Sequence, residues 1–509
     1  MKNNPHVLVI LDGFGYKIDR PYNAIYHGHA DNFNRWIDQY PSCLLKSYGT
    51  HVGLLKGMIG NSEVGHLTIG SGRIIKQPVT QIHEALENRS FFQNPLLIQR
   101  FQELVITQKR LHIMGLLSDA GDHSHIEHLF AFLAMAVQQG IRDIIVHPFL
   151  DGRDVPPQSA SLYLTQLEHV LNNLKVGKIG TMHGRFYAMD RDNRWNRIEK
   201  SYRVLTEPQK PAFTSWTAAL DHSYEQGITD EFFVPLALVH EAHIKPGDGI
   251  IFFNFRADRA RELTQVLVDP TFSFFPTNSL HLSWMITATR YSPHFPVDVL
   301  FPQSIVNNTL FDNLEAANKT IFTIAETEKY AHVTYFFNGG REIVHRDETR
   351  ILIPSKRHYK TYADIPSMSA PEITHTVLES LKTEPRDFYL INYANADMVG
   401  HSGNFEATCR AVAYLDRELK KLYDIVVEHL NGTLYITADH GKAEDMYDEK
   451  MQQPRTAHTK NKVPFLFINK AFVTKKIELE LIELSDIAPF ILEQLGLPVP
   501  SVMKLTISD

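Results

Sequence analysis

Four places in the chain put residues capable of metal and phosphate chemistry at the ends of apolar runs. Asp12 closes "VLVILD", Asp397 and His401 stand in "NADMVGHSG", Asp439 and His440 in "TADHG", and His458 in "RTAHTKNKVPF". With 26 histidines in the chain, any one alone reads as a surface or packed residue. Together they mean more. Adjacent Asp439 and His440 at the end of a strand are costly to bury unpaired, and carboxylate with imidazole suits divalent zinc or manganese. Three carboxylates and three imidazoles exceed one tetrahedral site, which implies two metals, a recurrent device for phosphoryl transfer. A nucleophile stands in "GMIGNSEVGHLTIGSGR", residues 57–73, where Ser62 sits among glycines. Serine in such company is usually turn chemistry. If a helix starts after it, however, the hydroxyl lies at a positive helix end, where dipole and metal favour an alkoxide and then a phosphoserine. The spacing is not that of a G-x-S-x-G elbow, and no G-x-x-x-x-G-K-[ST] loop supports nucleotide hydrolysis.

A second group is cationic. "DHSHIEH", "DGRDVPP", "GRFYAMDRDNRWNR" and "NFRADRARE" lie between residues 122 and 262. Arg194, Arg197 and Arg261 read as solvated ion pairs. Arg153, Arg185, Arg191, Arg256 and Arg259 instead follow apolar runs or tight glycine turns, which aims their N–H forks at a cleft. Guanidinium groups grip carboxylate and phosphate bidentately, so several of them imply a ligand with more than one anionic group. His123, just before a helix, is either an anion-site residue or an ordinary residue preceding the cap.

The elements that must position these residues follow from the same runs. Short apolar stretches at 7–12, 144–151, 250–255, 388–395, 434–441 and 463–469 alternate with helical patterns, as buried strands of an α/β sheet do, and ligands of open α/β sheets bind beyond the carboxyl ends of the strands. A helix is expected after Ser124, with Ser124 and Glu127 as its capping box and Gly140 as its end. Another is expected over about 405–430. The chain has 509 residues, 43% hydrophobic and 21% charged, which points to two globular domains. Metal-type residues occupy the first ~75 and last ~200 positions and the arginines lie between, so one domain is expected inside a loop of another. With 51 Lys+Arg against 58 Asp+Glu, the chain should repel polyanions, which excludes nucleic acid and anionic membranes as partners. Two cysteines exclude a disulfide framework and a cysteine metal cluster, and no run reaches a membrane span. A cytoplasmic protein is expected.

The ordered motifs "LDGFG", "GNSEVGHL", "LLSDAGDHSHIEHL", "DGRDVPP", "GRFYAMDRDNRW", "FFNFRADRARELT", "AETEKYAHVTYFFNGG", "NYANADMVGHSG", "TADHG" and "AHT" resemble the cofactor-independent (2,3-bisphosphoglycerate-independent) phosphoglycerate mutases. The resemblance implies an alkaline-phosphatase-like α/β sandwich domain over 1–76 and 304–509 and an inserted α/β phosphotransferase domain over 77–303. It implies a monomer that interconverts 3-phosphoglycerate and 2-phosphoglycerate with two Mn2+ ions, other divalent metals being possible. Ser62 would be the phosphorylated nucleophile. Asp12, Ser62, Asp439 and His440 would hold one metal, and Asp397, His401 and His458 the other. His123, Arg153, Asp154, Arg185, Arg191, Arg256, Arg259 and Lys329 would bind substrate in a cleft between the domains, with Asp154 moving protons. A phosphatase, sulfatase or phosphopentomutase of the same superfamily shares the metal set but needs no multi-arginine clamp. A non-catalytic binding protein for acidic metabolites would not need Ser62. Lys442 stands where this family usually shows Asn, Thr68 and Ser71 replace Asn and Ala, and "AHTKNKVP" is more basic than usual.

Overall fold

The computed structural model describes residues 4–302, 305–356, 359–449, 452–473 and 479–503. The chain divides into two compact units, Met1–Lys76 with Ile305–Asp509, and Gln77–Ser304.

In the first unit, seven strands among the described residues form one sheet, in spatial order Glu348–Ile353, Ile321–Glu326, Phe388–Tyr393, His6–Leu11, Thr433–Thr437, Val463–Ile468 and Ser42–Leu45. Five adjacent strands run parallel, and Val463–Ile468 pairs antiparallel with both of its neighbours. The near-continuous apolar runs are explained by burial on both faces: every residue of Phe388–Tyr393 and Thr433–Thr437 is buried. The amino-terminal strand lies at the centre, with Leu11 level with Tyr393 and Ile10 with Thr437. That register brings Asp12, Asp397 and Asp439 to one edge of the sheet, at the carboxyl ends of three neighbouring parallel strands.

The second unit has an eight-stranded sheet among the described residues. Its main path is Asp298–Val299, Trp284–Thr287, Gly249–Phe252, Leu111–Leu117, Ile144–Leu150, Thr181–Gly184 and Leu236–Ala237, with Lys178–Ile179 also on Ile144–Leu150. Alternate residues feed two cores: Leu111, Ile113 and Leu117 pack on one face, Met114 and Leu116 on the other. The helix expected after Ser124 spans Ile126–Gln138, and its cap differs from the expectation. His125 is the N-cap, while Ser124 Oγ donates to Leu116 O at 2.6 Å, because the serine is drawn back onto the strand it leaves. The helix expected at 405–430 runs Phe405–Tyr423 and continues as a wider turn over Asp424–His429. No described helix is long and apolar enough to cross a membrane.

One buried polar chain was not visible in the sequence. Asp248 Oδ2 faces His112 Nε2 (3.1 Å), His112 Nδ1 faces His147 Nε2 (2.8 Å), and Thr181 Oγ1 links His147 Nδ1 (2.8 Å) to His183 Nε2 (2.7 Å). Burial lowers all three imidazoles, His183 to about 3. Their folded pKa values lie below the unfolded value, so the stability they contribute is present above pH ~6.5 and lost as pH falls. His183 should forfeit about 2 kcal/mol between pH 7 and pH 5, and His112 and His147 add to the loss in the same direction. Urea unfolding at pH 7 and pH 5 checks this, and His183→Leu should reduce the difference. A stability independent of pH over that range would contradict it.

Candidate active site

Ser62 is the first residue of the helix Ser62–Ser71. Asn61 caps it by accepting from Val64 N at 3.0 Å, so Ser62 Oγ lies at the positive helix end. The helix can approach the sheet edge because position 65 is glycine: a Cβ there would stand 2.7 Å from Asp439 Cβ and Asp439 O. At the other side, Gly13 has φ +72° and a Cβ would meet Asp397 Cα at 2.8 Å, so the loop after the central strand also needs glycine.

These approaches gather a buried cluster. Ser62 Oγ donates to Asp12 Oδ1 (3.1 Å), lies 3.0 Å from His440 Nε2, and accepts from Lys329 Nζ (2.8 Å). Lys329 Nζ also donates to Asp12 Oδ1 and Asp397 Oδ2, both at 2.7 Å. His458 Nε2 is 3.1 Å from His401 Nε2 and from Asp397 Oδ1, and its ring stacks on His440 at 3.8 Å between centroids. All the residues read from the sequence as metal ligands are therefore neighbours. His440 differs from its expected single assignment: it joins Asp12 and Asp439 in one potential ligand group, and Asp397 and His458 in another. Lys329, expected among the substrate residues, sits in this cluster.

The electrostatics are those of a site built around cations. Burial would raise the Asp12 and Asp397 carboxyls, but Lys329 and the neighbouring histidines hold both well below the usual range. Lys329, although buried, is held above its ordinary value by Asp12, Asp397 and Asp439. His440 is raised to about 9, since Asp439 and Asp12 outweigh its burial, whereas burial lowers His458. Asp397 Oδ1 and Asp439 Oδ2 are buried and, among the described residues, accept no well-directed hydrogen bond despite the nearby ring nitrogens. Unsatisfied carboxylate oxygens beside imidazoles are what a divalent cation would pair, and the mixed O and N donor set fits one.

Three further residues complete the cluster. Asn392 Nδ2 donates to Asp12 Oδ2 (2.9 Å), and His66 places Nδ1 3.3 Å from Asp439 Oδ2 and Nε2 3.0 Å from Asn392 Nδ2. Glu444 accepts from Gly15 N (3.1 Å), Lys442 N (2.7 Å) and Thr459, tying the loop after Asp439 to the segments that follow Asp12 and His458. A lone polar residue inside "FYLINY" was the available signal for Asn392. Lys442 is buried, and burial lowers it to about 8. Its Nζ donates to Arg455 O at 2.9 Å, so its head is engaged by a main-chain carbonyl.

The second unit holds a separate cavity of about 330 Å³, lined by Arg153, Arg185, Arg191, Arg194, Arg197 and Arg259 against Asp190, Asp192 and Glu231. Six guanidiniums against three carboxylates leave it cationic. Arg194 is exposed and Arg197 pairs with Asp190 at 3.0 Å, as expected of solvated arginines, but both also line the cavity, Arg197 lying over the Phe186 ring at 3.7 Å. Arg261 is exposed and donates to Tyr291 O at 2.9 Å. Buried Arg185 is fixed by Asp151 (2.6 Å) and Asp154 (2.5 Å). Burial and the surrounding Arg191, Arg185 and Arg153 lower Arg259, which a bound anion would relieve. Arg256 and His123 lie outside the cavity lining and face Asp258 at 3.4 and 3.7 Å. His123 is driven down to about 3, by burial first and then Arg185. Arg259→Gln should raise KM for an anionic substrate about 10- to 100-fold, with a smaller fall in kcat. Steady-state kinetics separate the two, and an unchanged KM would remove Arg259 from the binding set.

A family model for the "BPG-independent PGAM N-terminus" matches residues 82–293. The 2,3-bisphosphoglycerate-independent phosphoglycerate mutase of Legionella pneumophila (strain Corby) is 45% identical over 505 residues, covering 98% of this chain and 97% of that protein. That of Clostridium perfringens (strain SM101) is 43% identical over 511 residues, covering 99% of each. Among solved structures, Leishmania mexicana phosphoglycerate mutase at low cobalt concentration matches with TM-score 0.77 and 28% identity, over 99% of this chain and 97% of that one. With 45% identity to a curated relative over nearly the full length of both chains, the chain belongs to the 2,3-bisphosphoglycerate-independent phosphoglycerate mutases.

Proposed function

We propose that this chain interconverts 3-phosphoglycerate and 2-phosphoglycerate through a phosphoserine at Ser62, without a bisphosphoglycerate cofactor. The observation that supports this most directly is the placement of Ser62 Oγ at a helix amino terminus, accepting from Lys329 and donating to Asp12. Two divalent cations, manganese in our reading, would be held by Asp12, Ser62, Asp439 and His440 and by Asp397, His401 and His458, and would supply Lewis acidity toward phosphate oxygens.

The residues themselves do the following. Asp12 takes the Ser62 proton while the Lys329 ammonium and the helix dipole stabilise the developing alkoxide. Ser62 Oγ forms a bond to phosphorus as the bond from phosphorus to the glycerate oxygen breaks. Asp154, oriented by Arg185 and entering this half of the cycle protonated, gives its proton to that oxygen. Arginines of the cavity hold the glycerate carboxylate while the molecule turns, Asp154 deprotonates the other hydroxyl, and that oxygen takes the phosphoryl group back. As the bond from Ser62 Oγ to phosphorus breaks, Asp12 gives its proton back to Oγ, so the serine is restored and substrate and product differ only in the position of the phosphate.

We read the protein as a cytoplasmic monomer. Phosphorus NMR on the manganese-treated full chain with 3-phosphoglycerate tests the reaction. Growth of 2-phosphoglycerate without free phosphate is expected. Inorganic phosphate as the main product would replace the mutase reading with a phosphatase one.

A further inference from the structure

The motif "DHSHIEH" contributes His123 to the reading above, but its other two histidines have no part in it. His125 caps the helix Ile126–Gln138, His128 lies in its first turn, and His83 comes from the helix Pro78–Glu87. One nitrogen of each ring lies within 4.8 Å of those of the other two. The rings are 5.5 to 5.8 Å apart between centroids, and Glu127 Oε2 stands 3.3 Å from His83 Nε2 and 3.9 Å from His125 Nδ1.

His128 makes this more than a chance grouping. It is 0% exposed, and neither of its ring nitrogens has a hydrogen-bond partner among the described residues; His83 Nδ1 is likewise buried without one. A buried imidazole with both nitrogens unsatisfied is costly and calls for an explanation. The ring of Phe255 packs edge-on against His128, with 5.8 Å between centroids. Burial keeps His128 neutral, the form that ligates metals. The positive helix end acts against a cation here, and the Glu127 carboxylate offsets it.

We propose that His83, His125 and His128, with Glu127 as fourth ligand, bind a structural zinc ion within the second unit. Three imidazoles and a carboxylate match the donors and coordination number of tetrahedral zinc better than those of calcium or magnesium. Zinc–nitrogen bonds of about 2.0–2.1 Å need nitrogens about 3.4 Å apart, so the rings must draw in by roughly an ångström. His83 and Glu127, with side chains 23% and 58% exposed, can supply that movement and an entry path. His125 Nδ1 accepts only a long 3.3 Å bond from Glu127 N, which a cation can displace. The ion would fasten the helix Pro78–Glu87 to the start of the helix Ile126–Gln138, which begins three residues after His123.

The full chain, stripped with chelator and dialysed against zinc chloride, tests this by metal counting and by anomalous diffraction at the zinc edge. The wild type should hold one zinc per chain more than either His83→Gln, on the partly exposed side, or His128→Phe, which keeps the buried space filled. An anomalous peak among the three rings should vanish in both variants. Equal zinc counts with no such peak in the wild type would overturn the proposal, as would a peak that survives His128→Phe. Failure of the metal reading at Ser62 would lower all counts alike and leave the difference of one intact.

Discussion

Replacing Ser62 with Ala should reduce mutase turnover by about ten-thousand-fold or more, the scale seen when a covalent nucleophile is removed. The loss would be chemical rather than structural. Ser62 is buried at the first turn of its helix, where Asn61 still supplies the cap, and alanine fits that position. Removing Oγ deletes its bonds to Asp12 and Lys329, yet Lys329 keeps Asp12 and Asp397 at 2.7 Å. The stability cost should stay near 1–2 kcal/mol. Thermal unfolding, metal content and turnover, measured on the same preparation, separate the effects. Turnover within tenfold of the wild type would rule out a phosphoserine route.

Lys329→Met should have the next largest effect, and on two quantities. The Lys329 side chain is 5% exposed and neutralises Asp12 and Asp397, whose own side chains are 0% and 3% exposed. Without the ammonium these carboxylates stay buried, with the neutral donors Ser62 and Asn392 on Asp12 and the neighbouring histidines and Lys442 as weaker compensation. Breaking a buried pair from one side typically costs about 3–5 kcal/mol. Chelator-treated protein should show that loss in urea unfolding, and added manganese should recover part of it. Turnover should fall about 100- to 1,000-fold, since a preorganised donor to Ser62 Oγ is lost. A metal-free variant as stable as the wild type, or one with near-normal turnover, would show that the lysine is not what balances this cluster.

Much of the organisation could be read from local pattern. Every apolar run singled out in the sequence contains a strand, and the segment after Ser62 is a helix, because burial on both sheet faces and the glycine-rich turns leave direct traces in residue type. The family was legible in the same way, as ordered motifs. The cap of the helix at Ile126 was misread because "SHIE" satisfies the capping-box pattern whichever way Ser124 turns, and the choice depends on Leu116 O, eight residues earlier.

What the sequence alone determined about this protein was which residues carry charge, which runs must be buried, and hence the α/β class, the acidic net balance and the family. The tertiary structure decided the neighbours. An apolar run carries no mark of its partner, so only the fold inserts His6–Leu11 between Phe388–Tyr393 and Thr433–Thr437 and thereby joins Asp12 to Asp397 and Asp439. Only the fold sets Lys329 among those carboxylates, places His440 between two groups of potential metal ligands, and brings Arg194 and Arg197 to the lining of a cavity. The physical reason is the same in each case: the energy of a buried charge depends on what lies within a few ångströms, and those distances come from strand register and helix packing across hundreds of residues.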